Sequence, residues 1–130
     1  MGVDKYCFIA IDDDKEFNLI TEYTIKNGNL NADVHTFLDP ADGLDFIRNI
    51  PPDEGHDFIV LLDINMPTLS GWDVLDKIKT FSKDIQDRLR IFIMSSSINP
   101  SDKEMADNNL LVSGYIEKPL GRLLLQTIIG

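Results

Sequence analysis

Cysteine is nearly missing from this chain. Cys7 is the only one among 130 residues, which excludes an internal disulfide and a cysteine-based zinc site. Positive charge is scarce too. Lys and Arg number 12 against 22 Asp and Glu, a formal net charge of −10 and a pI near 4.4. That balance argues against non-specific binding to nucleic acid and against attraction to anionic membranes. No apolar run approaches the roughly 20 residues needed to span a bilayer. Met1-Gly2-Val3-Asp4-Lys5 lacks the apolar stretch of a signal peptide. No repeat, low-complexity tract or interdomain linker is visible. The expectation is a cytoplasmic protein that binds neither membrane nor nucleic acid directly.

What is present is an ordinary globular composition, 43% hydrophobic with a mean hydropathy of −0.09. The length suits one domain, which buries roughly two-thirds of the surface its unfolded chain exposes. Three short apolar runs stand out: Tyr6 to Ile11, Phe58 to Leu62 and Ile91 to Met94. They do not alternate polar with apolar residues, as suits strands buried on both faces of a parallel sheet. Val34 to Phe37 and Gly114 to Ile116 are weaker strand candidates.

Helical patterns lie between these runs. Phe17, Ile20, Thr24 and Ile25 fit one face of a helix from about Lys15 to Asn27, closed by Gly28. Ala41, Leu44, Ile47 and Ile50 give a second, halted by Pro51-Pro52. Trp72, Leu75, Ile78 and Phe81 give a third. Asp39-Pro40-Ala41-Asp42 and Asn99-Pro100-Ser101-Asp102 both read as helix starts, with a side-chain acceptor at the cap and proline next. A last helix runs from about Leu120 to Ile129. The order is β-α repeated five times, which predicts an α/β fold with helices on both faces of a parallel sheet.

The carboxyl ends of such strands share one edge, where ligands of open α/β sheets bind. Ile11 leads into Asp12-Asp13-Asp14, Leu62 into Asp63, Met94 into Ser95-Ser96-Ser97, and Ile116 into Glu117-Lys118-Pro119. Carboxylates, a hydroxyl and an ammonium therefore converge from distant parts of the chain. Clustered carboxylates repel unless a cation joins them. Hard oxygen ligands with room for water suit Mg²⁺, and a lysine and a serine beside it suit phosphoryl oxygens. A carboxylate can accept a phosphoryl group as an aspartyl phosphate. The residue chemistry points to Mg²⁺-assisted phosphoryl transfer onto an aspartate. Asp14 reads as a helix cap, His35 and His56 as structural or solvent-facing, and Cys7 as an inert buried hydrophobe.

In these pieces the sequence resembles the receiver domain of bacterial two-component response regulators. The pieces are Ile11-Asp12-Asp13-Asp14, Leu62-Asp63-Ile64-Asn65-Met66-Pro67 with Gly71 eight residues after the aspartate, Ser95, and Tyr115 three before Lys118-Pro119. The resemblance covers about Tyr6 to Ile129. It implies a receiver domain over 6–130; residues 1–5 are then expected to be an N-terminal extension, in part a cloning remnant. It also implies the flavodoxin-like (βα)5 fold with strand order 2-1-3-4-5. Asp63 would be the phosphoacceptor, charged by a sensor histidine kinase or phosphotransfer protein. Asp13 would ligate Mg²⁺ directly and Asp12 through water, with Asp63 and the Asn65 main-chain carbonyl as further ligands. Lys118 would pair with a phosphoryl oxygen. Ser95 would swing in as the hydroxyl of a switch read out through Tyr115, and the Lys118–Pro119 bond would be cis. Ser95 stands where threonine is commoner, and Ser96 where a smaller residue is usual.

The implied molecule is a signalling phosphoacceptor rather than an enzyme, assisting its own phosphorylation and dephosphorylation. It would act on a downstream protein partner or output domain, as a monomer or a phosphorylation-dependent dimer. One alternative is a receiver-like module that signals without phosphorylation, although such domains usually lose an acid or the lysine. Another is a small phosphatase of the haloacid dehalogenase type. That chemistry wants a second aspartate two residues after the nucleophile, where this chain has Asn65. A flavin-binding protein of the same fold is disfavoured by three aspartates where a phosphate would sit.

Overall fold

The structure is a computed structural model that describes residues 5–51, 56–97 and 99–129. Its elements are β1 (Lys5–Ile11), α1 (Lys15–Lys26), β2 (Ala32–Phe37), α2 (Pro40–Arg48), β3 (His56–Asp63), α3 (Gly71–Ile78), α4 (Lys83–Asp87), β4 (Leu89–Ser95), α5 (Pro100–Asp107), β5 (Val112–Glu117) and α6 (Arg122–Ile129). The strands form one parallel sheet in the order β2-β1-β3-β4-β5. This is the expected flavodoxin-like α/β architecture, with one addition. The short helix α4 interrupts the expected alternation. Its sequence signals are Ser82 as N-cap and two pairs four residues apart, Lys83–Asp87 and Arg88–Asp84, and it is too short to show an apolar stripe.

The continuous apolar runs have a simple cause. In β1, Cys7, Ile9 and Ile11 enter one core with α2 and α3, while Phe8 and Ala10 enter the other with α1 and α6. In β3, Phe58, Val60 and Leu62 take the first side, Ile59 and Leu61 the second. Side chains alternate faces along a strand, and here both faces are dry. The edge strands β2 and β5 are only half-buried, so their sequence signals are weaker.

Caps fall where the sequence places them. Asp14, Asp39 and Asn99 each accept a backbone N–H of the helix they start, satisfying donors that have no partner within the helix. Two helix faces differ from expectation. In α1, Ile20 is exposed and the buried line is Asn18, Thr21 and Ile25. A polar residue serves that line better because it meets a backbone carbonyl of the loop after β1. In α2, Ala41 is exposed and Gly43 is buried. A Cβ on Gly43 would lie 2.6 Å from Ile11 Cδ1, so glycine lets this helix sit directly on β1. That helix ends at Arg48, capped by Asn49, ahead of Pro51. Pro52 and Met1–Asp4 lie outside the described residues.

Candidate functional site

The carboxyl edge of the sheet brings together Asp12, Asp13, Asp63, Ser95 and Lys118. Asp63 is the last residue of β3, and Asp12 and Asp13 follow β1. One carboxylate oxygen from each of Asp12, Asp13 and Asp63 lies within 4.8 Å of the others. Asp12 and Asp63 are buried, whereas Asp13 is exposed.

Lys118 enters from the loop after β5. Its backbone N–H donates to the Ser95 carbonyl (2.8 Å), and the Lys118–Pro119 peptide is cis. Its ammonium lies 2.6 Å from Asp12 Oδ2 and 3.1 Å from Asp63 Oδ1, and its side chain is only 4% exposed. Asp12 is held on all sides. Its N–H donates to the Phe37 carbonyl (3.0 Å), Oδ1 accepts from the Asp14 N–H (2.9 Å), and its carbonyl accepts from Asn18 Nδ2 (2.8 Å).

The electrostatics are unbalanced. Burial, and then the charge of Asp12, push the Asp63 carboxyl up to about 6, although Lys118 and the Asn65 N–H oppose the rise. Burial alone would lower the Lys118 ammonium, but its hydrogen bonds and ion pairs with Asp12 and Asp63 outweigh that and raise it. One ammonium pairs with two of three clustered carboxylates. A pocket that leaves its central acid poorly stabilised as an anion fits a further hard cation.

Gly71 is required by this loop. A Cβ there would lie 2.7 Å from the Asp63 carbonyl oxygen and 2.9 Å from Ile64 Cα. The Gly71 N–H donates to the Ile64 carbonyl (2.8 Å), and Ser70 with Asp73 forms a capping box at the start of α3. The loop after Asp63 is thus folded back against its own strand.

A family profile for the response regulator receiver domain matches residues 8–129. The chain belongs to this family. Among solved structures it is similar to a response regulator receiver protein from Dyadobacter fermentans DSM 18053, at 27% identity and a TM-score of 0.86 over 95% of this chain and 94% of that one. It is also similar to a two-component response regulator from Cytophaga hutchinsonii, at 21% identity and 0.83 over 98% and 95%. A third likeness is to the Mn²⁺-bound form of response regulator Rcp1, at 20% identity and 0.70 over 95% and 89%.

Not every predicted residue of this receiver domain meets the others. Ser95 is buried at the end of β4, but its hydroxyl donates to the Ser97 carbonyl (2.7 Å) within its own loop. Tyr115 packs against the core shared with α2 and α3, and its buried hydroxyl has no hydrogen-bond partner among the described residues. Asn65 is exposed beside Asp63. Asp14 caps α1. His35 packs against Phe46 with the rings tilted by 36° and their centroids 4.5 Å apart. Cys7 is buried, its thiol pushed up to about 11 mainly by burial.

Two site residues were hidden from sequence reasoning. Asn18 lies outside the apolar stripe assigned to this helix, yet it is buried and holds the Asp12 carbonyl. Phe17 reads as core stripe, yet its ring lies 4.3 Å from the Lys118 ammonium. No sequence spacing links positions 17 and 118; only the fold does.

Among the described residues, no helix is long and apolar enough to cross a membrane.

Proposed function

We propose that Asp63 accepts a phosphoryl group from the phosphohistidine of a sensor kinase or phosphotransfer protein, and that the modified site changes a protein-binding surface. The observation that carries this reading is the buried ammonium of Lys118 between Asp12 and Asp63. A phosphoryl acceptor needs a nucleophile, a fixed positive charge for the transferred oxygens, and access for the donor. Asp63 supplies the nucleophile, Lys118 the charge, and exposed Asp13 marks the open side.

The Asp63 carboxylate attacks phosphorus, an O–P bond forms, and the N–P bond breaks with its electron pair returning to the donor imidazole. Asp13, Asp63 and the Asn65 carbonyl would hold Mg²⁺, whose charge would offset that of the phosphoryl oxygens. Both Asp12 oxygens already accept from the protein, which supports the outer, water-mediated place expected for it. Lys118 would keep its ion pair by exchanging a carboxylate oxygen for a phosphoryl oxygen. The Ser95 hydroxyl would turn from the Ser97 carbonyl to a phosphoryl oxygen, giving the new dianion a second donor. That movement would be passed to Tyr115.

Incubation with Mg²⁺ and a small acyl phosphate, followed by intact mass, tests the reading. One added phosphoryl group is expected, and none in Asp63→Asn. Absence of the adduct in the wild-type chain with every donor tried, or its persistence in Asp63→Asn, would overturn it.

A further inference from the structure

The ammonium of Lys118 has three N–H donors. Two are directed at Asp12 Oδ2 and Asp63 Oδ1. A third neighbour is the ring of Phe17, with the nitrogen 4.3 Å from its centroid. An aromatic face attracts a cation through its quadrupole, more strongly where water is excluded, and this side chain is 4% exposed.

The contact is built into how α1 docks. Phe17 and Thr24 are seven residues apart, two helical turns, and so share a face. Phe17 covers Lys118, and the Thr24 hydroxyl donates to the Leu120 carbonyl (3.1 Å). Helix α1 thus grips the loop after β5 at two points on either side of Pro119. Asn18, next to Phe17, ties the same helix to the Asp12 carbonyl. The first turn of α1 therefore touches both the acid that Lys118 pairs with and Lys118 itself.

We propose that Phe17 is a positioning residue for Lys118: its ring face is the third partner of the ammonium and keeps that charge dry and directed at Asp63. A plain core role for Phe17 would need only apolar volume. A positioning role needs the aromatic face. The catalytic consequence rests on the phosphoacceptor reading above; the contact itself does not.

Wild type, Phe17→Leu and Phe17→Tyr separate the two roles in two assays. The first follows phosphoryl uptake from a small acyl phosphate with Mg²⁺ by intact mass. The second follows acetylation of Lys118 by acetic anhydride, with neither donor nor metal, by peptide mass. Phe17→Leu is expected to take up phosphoryl groups roughly three- to tenfold more slowly and to acetylate faster at Lys118. Phe17→Tyr is expected to stay close to wild type in both. The proposal is overturned if Leu protects Lys118 as well as Tyr does, or if Tyr is as impaired as Leu. Should Phe17→Leu lose its cooperative thermal transition, Phe17→Met replaces it as an apolar side chain without a ring. If the wild-type chain takes up no phosphoryl group, the phosphoacceptor reading fails, and the acetylation of Leu against Tyr alone decides the role of Phe17.

Discussion

The two edges of the sheet treat charge in opposite ways. At the amino-terminal edge, Arg90 on β4 meets Asp57 on β3 with Nε and Nη2 at 3.2 and 2.5 Å, and its Nη1 donates to the Ile128 carbonyl of α6 (2.6 Å). One cation meets one anion in a two-pronged pair, and the remaining donor closes a helix end. At the carboxyl edge, three carboxylates cluster and one ammonium pairs with two of them. The first edge satisfies its groups and locks α6 to the sheet. The second leaves an acid raised to about 6, which is a cost to folding. Stability and reactivity are thus placed at opposite ends of the same strands.

The largest test of that contrast is to remove the cation from the satisfied edge. Arg90→Met leaves Asp57 without its partner and the Ile128 carbonyl without its donor. We expect a loss of about 2 kcal/mol in urea unfolding, with phosphoryl uptake unchanged. An equal loss of uptake would break the separation between the edges.

Next in size is the reverse change at the acidic edge. Asp63 in the folded chain holds its proton up to about pH 6, against an ordinary 3.8. Between those values the folded form binds more protons than the unfolded form. The contribution of this group to stability therefore falls as pH rises through that window. At pH 7 the ionised side chain is destabilising, so Asp63→Asn is expected to gain about 1–2 kcal/mol in the metal-free chain. The gain should shrink as pH is lowered towards 4, and as Mg²⁺ is added to the wild-type protein. Thermal unfolding across pH, with and without Mg²⁺, measures it. A loss of stability at pH 7 would mean that Lys118 already balances this edge.

The smallest effect is expected at a pair that belongs to neither charge cluster. Lys83 and Asp87 on α4 are 2.5 Å apart, but their side chains are 82% and 60% exposed. Lys83→Ala should change stability by less than about 0.5 kcal/mol. A larger change in the same urea titration would show that α4 matters to the sheet despite its exposure.

Much of this fold is legible in the chain because its signals are local. A strand buried on both faces must be continuously apolar, as Phe58 to Leu62 are. A helix start must offer an acceptor, as Asp14, Asp39 and Asn99 do. The acids and Lys118 are legible because each directly follows such a strand. Apolar periodicity assigns Ile20 and Ala41 to buried faces because it cannot see that a helix face is chosen by what lies beneath it. Asn18 is buried for a backbone carbonyl, and Gly43 for close contact with Ile11. The helix α4 escaped because five residues are too few to show a period.

Local sequence sets the five strands, the helix caps, and which acids, hydroxyl and lysine directly follow a strand, because each depends on neighbours within a turn or a run. Tertiary structure alone decided how those charges are shared. It placed Lys118 between Asp12 and Asp63 and laid Phe17 over the ammonium. These are contacts of a few ångströms between residues as far as about a hundred positions apart. Coulomb energy and desolvation depend on that distance and burial, and not on separation along the chain.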